Sequence, residues 1–230
     1  MIAVSSFGKD SIGECLRHLR ENNNEELKVI VDNGGQSKNY IESIIKMIGL
    51  NNAVVVENEG NWEWSAWWKA YNSFPNEDRY LFIHDSMFLK KNSEHIYQYV
   101  VDDDDVFIFD TRLNGGWWSS KYDIRNSNTT KQFGKIFSVD RNDFNLVFGS
   151  MFACRKKTMQ DLQNAGIMSI HANDRCDAEA CERLLGIAFD ELKKNVIIYP
   201  DRKTILPPKP GGRRVTSTNL FDKVRSGRSS

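Results

Sequence analysis

The stretch Tyr80-Leu81-Phe82-Ile83-His84-Asp85-Ser86-Met87-Phe88 decides how the rest of the chain is read. Tyr80, Leu81, Phe82 and Ile83 are apolar or aromatic without alternation, the pattern of a strand covered on both faces in an α/β sheet. The run then stops at three polar groups. In open α/β sheets ligands gather outside the carboxyl ends of the strands. His84, Asp85 and Ser86 would therefore bring an imidazole, a carboxylate and a hydroxyl to the edge where a metal ion or a phosphate binds. The same triplet also fits a plain turn in which Asp85 caps the next segment, and the residues alone leave both readings open.

Toward the N-terminus the pattern is regular. Residues 2–7 read as a first strand, and Ser11 with Glu14 has the spacing of a capping box that opens a helix with Ile12, Cys15, Leu16 and Leu19 on one face. Residues 28–31 form a second strand closed by Asp32-Asn33-Gly34-Gly35. Ser37 caps a second helix striped by Ile41, Ile44, Ile45 and Ile48, and Gly49 ends it; residues 53–56 are a third strand. This β-α-β-α-β order with short loops predicts a parallel sheet with helices packed on it. Trp62, Trp64, Trp67 and Trp68 then crowd the start of a third helix. At least two are expected to pack on the sheet, and stacking on a sugar ring or nucleobase is the functional alternative.

Toward the C-terminus, residues 106–109 repeat the central strand and end in Asp110, while Asp102 to Asp105 precede that strand at the edge away from ligands and read as a solvated turn. Residues 114–141 are polar and weakly periodic; Trp117 and Trp118 follow Gly115-Gly116 there, placed to present indoles to a ligand. Residues 145–154 read as a strand with Gly149 inside it, a mark of close approach by a ligand or another backbone. After a short helix over 158–165 comes a long one over 174–192. Its apolar stripe is Ala178, Cys181, Leu185, Ala188, Phe189 and Leu192, with Asp177 and Glu182 at the two margins and Glu179 outside. Residues 196–199 close the series as an edge strand.

Composition bounds these readings. The chain has 230 residues with 31 Lys and Arg against 31 Asp and Glu, so its neutrality argues against a general nucleic-acid binder. One core over residues 1–200 is expected, followed by a basic tail over 201–230 containing Pro and Gly, partly disordered. No apolar run reaches the length of a membrane span and no secretory leader is evident, so a cytoplasmic protein is expected. Cys15, Cys154, Cys176 and Cys181 form no C-x-x-C pair and read as reduced thiols.

In this order the parts resemble the GT-A glycosyltransferases, which transfer a sugar from a nucleotide-diphosphate donor. The resemblance rests on Ile2-Ala3-Val4-Ser5-Ser6-Phe7, on Val31-Asp32-Asn33-Gly34, on Tyr80 through Ser86 and on Phe148-Gly149-Ser150-Met151-Phe152-Ala153-Cys154-Arg155. The acidic helix from Asp177 to Gly186 completes it. It is closest to small bacterial and large-DNA-virus members in which a His-Asp-Ser triplet stands in for D-x-D. It implies a mixed, mainly parallel GT-A sheet in one domain, with Ser5, Ser6, Phe7, Asp32, His84, Asp85 and Ser86 at the donor and Lys203 folding over the diphosphate. Gly149, Ser150, Trp117 and Trp118 would meet a glycan or glycoprotein acceptor. A Mn²⁺ or Mg²⁺ ion would rest on Asp85 and His84, with His171 as a further ligand, although the usual pair of carboxylates is reduced here to one. The likeness is to inverting members, which need a general base; Glu182 is the expected base and Asp177 its rival. A sugar nucleotidyltransferase and a non-catalytic nucleotide-sugar or glycan binder are the alternatives.

Overall fold

The computed structural model describes residues 1–7, 11–23, 25–33, 38–59, 62–91, 93–109, 117, 122–199, 204–206, 214–217 and 220–225. Seven strands make one sheet in the order β3-β2-β1-β4-β7-β6-β8. They are β1 (Ile2–Ser6), β2 (Lys28–Asp32), β3 (Ala53–Glu57), β4 (Arg79–His84), β6 (Asp105–Ile108), β7 (Phe152–Arg155) and β8 (Asn195–Ile198). Only β7 runs against its neighbours β4 and β6; the remaining pairs are parallel. This is the mixed, mainly parallel sheet expected from the sequence, with β4 at its centre.

Alternation along each strand divides the core in two, because successive side chains leave opposite faces. Ala3, Val29, Val31, Tyr80 and Phe82 point to one face, where α3 (Glu63–Ser73) and α6 (Arg175–Glu191) cover them. Ile2, Val4, Ile30, Leu81 and Ile83 point to the other, beneath α1 (Ser11–Asn22) and α2 (Lys38–Ile48). Of the four clustered tryptophans, Trp64, Trp67 and Trp68 are buried against the first face, which fulfils the packing expectation. The Ser11 hydroxyl has no hydrogen-bond partner among the described residues, and the Glu14 carboxylate turns to Arg17 at 2.6 Å, so the anticipated capping box is not made.

Two stretches differ from the sequence reading. Residues 145–154 are not one strand: Phe148–Ser150 form a 3₁₀ turn in which Gly149 (φ 65°) and Ser150 (φ 51°) are left-handed, and β7 starts only at Phe152. The chain beyond residue 200, expected as a partly disordered tail, contributes β9 (Thr204–Leu206), β10 (Arg214–Ser217) and β11 (Phe221–Arg225) to a second, antiparallel sheet in the order β5-β11-β10-β9. Its first member, β5 (Met87–Leu89), directly follows Asp85 and Ser86, so this small sheet grips the segment leaving the central strand. Two shorter helices, α4 (Asn128–Phe133) and α5 (Lys156–Asn164), complete the helical cover. Among the described residues no helix is long and apolar enough to cross a membrane.

Candidate functional site

The carboxyl ends of the parallel strands are in register, Ser6 beside Asp32 and Asp32 beside Glu57, with Ser5 beside His84 on the other side. Backbone ladders end there, so polar side chains have to satisfy the groups just beyond. The Asp85 N–H donates to the Ser5 carbonyl at 3.0 Å, and the Asp85 carboxylate accepts from the Phe7 N–H at 3.2 Å and the Ser6 hydroxyl at 3.4 Å. Asn33 donates its backbone N–H to the Ser6 carbonyl at 2.9 Å and its side-chain amide to the Ser5 hydroxyl at 2.5 Å. Asn58 carries the network on, donating to the Asn33 side-chain carbonyl at 2.6 Å and to the Ser65 hydroxyl of α3 at 2.8 Å. Asp32, buried at the end of β2, accepts the Asn58 N–H on its carbonyl at 3.0 Å. Ser5, Ser6, Phe7, Asp32 and Asp85 thus meet at one edge, and Ser86 sits half-buried in the turn beside them.

His84 and Asp85 do not act as a joint pair. The His84 ring lies on Trp67 with centroids 6.0 Å apart, takes the edge of Phe7 at 6.4 Å and places Nε2 3.6 Å from the Glu63 carboxylate. Asp85, only 1% exposed, leaves on the opposite side, toward α1, where burial foremost and then this carboxylate push the Cys15 thiol well up. His171 is exposed in the loop before α6, and its carbonyl accepts the Thr129 hydroxyl at 3.2 Å. Among the described residues no three His, Cys, Asp or Glu side chains converge on a metal position. A cation shared by His84, Asp85 and His171 therefore does not fit this arrangement, because neighbouring side chains diverge at the end of a strand.

The long acidic helix gives its two marginal carboxylates different surroundings. Asp177 lies in the first turn of α6, behind the cap in which Asp174 accepts its N–H at 2.9 Å. It accepts the backbone N–H groups of Thr129 at 2.9 Å and Asn173 at 3.0 Å. Burial pushes its carboxyl up, but these hydrogen bonds outweigh it and hold the group below the ordinary carboxylate range. A buried, doubly bonded, low-lying carboxylate is a structural latch and a poor base. Glu182 stands more open, its side chain 16% exposed, with one oxygen accepting the Gly149 N–H at 2.9 Å and the other 3.6 Å from Arg183. The main chains are tied as well, Val147 N–H donating to the Glu182 carbonyl at 3.0 Å. The structure so joins the expected base to the left-handed Gly149-Ser150 turn, two features read separately in the sequence.

Glu63, which the sequence reading passed over, belongs to this set. It pairs with His84, and with Asp177 and Glu182 it raises the buried Cys181 thiol, burial being the largest cause. It follows Trp62 at the first turn of α3, and only the fold brings it to His84; no spacing rule links them. Trp117 is a packing residue here, its indole N–H donating to the Arg141 carbonyl at 2.8 Å and its ring set edge-on to Phe144 at 5.4 Å. Trp118, Lys203 and Asp110 lie outside the described residues.

No protein-family model and no curated protein matches the sequence. Solved structures do resemble the fold. The bifunctional glycosyltransferase WbbM superposes with a TM-score of 0.53 at 11% identity, over 86% of this chain and 38% of its own. TarS of S. aureus gives 0.50 at 15% identity, over 87% of this chain and 35% of its own. A cytidylyltransferase from Leptospira borgpetersenii gives 0.49 at 12% identity, over 87% of this chain and 74% of its own. The chain spans little more than a third of the length of TarS and WbbM. At these identities the likeness is one of fold, the GT-A class, and the chemistry has to be argued from the residues.

Proposed function

We propose that this chain is a transferase that moves a sugar from a nucleotide-diphosphate donor to a hydroxyl of a glycan or glycoprotein, with inversion. The observation that carries the reading is the pairing of the Glu182 carboxylate with the Gly149 N–H in a sheet of GT-A class. That hydrogen bond fixes the direction of a partly open carboxylate beside a left-handed turn, as a base that must meet an incoming hydroxyl requires. The donor nucleotide rests against Ser5, Ser6, Phe7 and Asp32, and His84, oriented by Glu63 and Trp67, faces the diphosphate. The acceptor oxygen attacks the anomeric carbon as the bond from that carbon to the diphosphate breaks, the electron pair leaving with the diphosphate. Glu182 takes the acceptor proton. No step is assigned to a metal ion; Mn²⁺ or Mg²⁺ carried chiefly by the donor's own oxygens is an experimental arm.

The test is a panel of nucleotide sugars and acceptors assayed with Mn²⁺, Mg²⁺ or chelator, following nucleoside diphosphate release and the anomeric configuration of the product. Glu182→Gln is expected to lower transfer by about 10²-fold or more while leaving donor affinity within a few-fold. Pyrophosphate release from a nucleoside triphosphate and sugar phosphate would instead mark a nucleotidyltransferase, and donor binding without turnover a non-catalytic binder. Retention of configuration would remove Glu182 from the role of base.

A further inference from the structure

At the edge of the sheet opposite this site, Arg79 opens β4 and Arg155 closes β7, and the antiparallel register sets the two directly across from one another. Like charges in facing positions of a ladder repel, so such a pair calls for compensation. Among the described residues neither guanidinium makes an ion pair, and acids of this region are engaged elsewhere. Glu77 lies 3.8 Å from the Met1 amino group, Glu26 accepts the Tyr97 hydroxyl at 2.8 Å, and Asp105 accepts the N–H groups of Val101 and Asp102. The Arg79 guanidinium lies over the Tyr97 ring, 5.8 Å from its centroid, which holds it in place without neutralising it. The Arg155 Nε is buried and has no hydrogen-bond partner among the described residues, an arrangement that costs stability. Both side chains line a cavity of about 400 Å³, together with Tyr97, Gln98 and Val101.

We infer that this cavity is a second binding site, separate from the sugar-transfer edge, for the phosphoryl group of a small molecule. Two arginines set across the ladder from one another bring two positive charges to one cavity and so match a dianion, whereas a carboxylate would neutralise only one of them. Guanidinium N–H groups bind tetrahedral phosphate oxygens in fork geometry. A volume of about 400 Å³ leaves room beyond a phosphate for a small attached group, within the range of small-molecule sites. The Gln98 amide at the wall offers that group a hydrogen bond.

Arginine Nε–H signals of the full isotope-labelled chain, assigned through Arg79→Lys and Arg155→Lys, read this site locally, so phosphate bound at the donor edge is not mistaken for it. Inorganic phosphate is expected to move both signals saturably, while acetate and chloride at matched ionic strength do not. Each lysine variant keeps the charge and loses the fork, and is expected to bind phosphate about tenfold more weakly. The site is disproved if phosphate and chloride shift the signals alike and without saturation, or if Arg155→Lys binds phosphate as tightly as the parent. Equal saturation by acetate would overturn the phosphoryl assignment.

Discussion

Asp177 and Glu182 sit five positions apart on one helix, and what separates them is the company each carboxylate keeps. Asp177 meets two backbone N–H groups in a buried corner, whereas Glu182 meets one beside a partly open turn. Because the folded-state value of Asp177 lies below its ordinary 3.8, the native state binds its proton less readily than the unfolded chain. Its contribution is therefore complete above that ordinary value and is lost as pH falls through the lower folded one. Asp177→Asn is expected to lower unfolding stability by about 1.5–3 kcal/mol at pH 7, the usual range for hydrogen bonds to a charged group. The gap to the parent should shrink in denaturant titrations carried out below the ordinary carboxylate value. A gap that stays constant down to strong acid would mean the carboxylate charge plays no part. The helical stripe located both residues in the sequence but did not separate their roles, because Thr129 approaches Asp177, and Gly149 approaches Glu182, through tertiary structure. The same limit hid Glu63, which opens α3 while its partner His84 ends β4.

Two glycines show what a pattern can and cannot tell at the level of an element. Residues 145–154 carry a strand-like apolar composition, yet left-handed backbone at Gly149 and Ser150 turns the chain before β7 begins. The glycine was visible in the sequence, but its sense as a turn needed the Glu182 carboxylate that receives its N–H. Gly186 reads as a weak point inside α6, since glycine costs a helix interior up to about 1 kcal/mol against alanine. The reason for it is contact: a Cβ there would sit 1.7 Å from the Asn145 carbonyl oxygen. Gly186→Ala must push the helix from that loop, at a cost of about 3 kcal/mol, the upper part of the range for overpacking. It is also expected to lower transfer by loosening the Val147 and Gly149 bonds to Glu182 on the same helix. Gly13→Ala, with no atom within 4 Å of the added carbon, should instead stabilise α1 by about 0.5–1 kcal/mol. Denaturant midpoints of the two variants check the sign; a neutral Gly186→Ala would show that α6 and the 145–150 loop shift apart freely.

At the scale of the whole molecule, the first three strands and their helices were legible because each element carries its own period, and parallel order follows from their alternation. The C-terminal strands were not, because Pro, Gly and basic residues give the same composition to a tail and to short strands held from outside. What holds them is burial that only the fold creates: Leu220 and Phe221 are nearly inaccessible, and the Phe221 ring lies edge-on to Phe109 at 5.4 Å and against Tyr199 at 6.1 Å. Register then places Phe221 beside Leu89 and Lys223 beside Met87, with Lys90 and Asp222 paired at 2.9 Å. Ending the chain after Tyr199 would remove two buried apolar side chains worth about 1.5–3 kcal/mol each, and a stability loss of about 3–6 kcal/mol is expected. The loss should not be uniform. Amides of Met87 to Leu89 should exchange with solvent much faster, while those of β1 and β2 keep their protection, since β5 loses its only described neighbour and the parallel strands lose none. Because β5 continues directly from the Asp85-Ser86 turn, the shortened chain should also bind a nucleotide-sugar donor more weakly. If hydrogen exchange at Met87 to Leu89 is unchanged by the truncation, the second sheet does not support the candidate site, and the Asp85 turn is held without it, with Ser5, Ser6 and Phe7 among its partners.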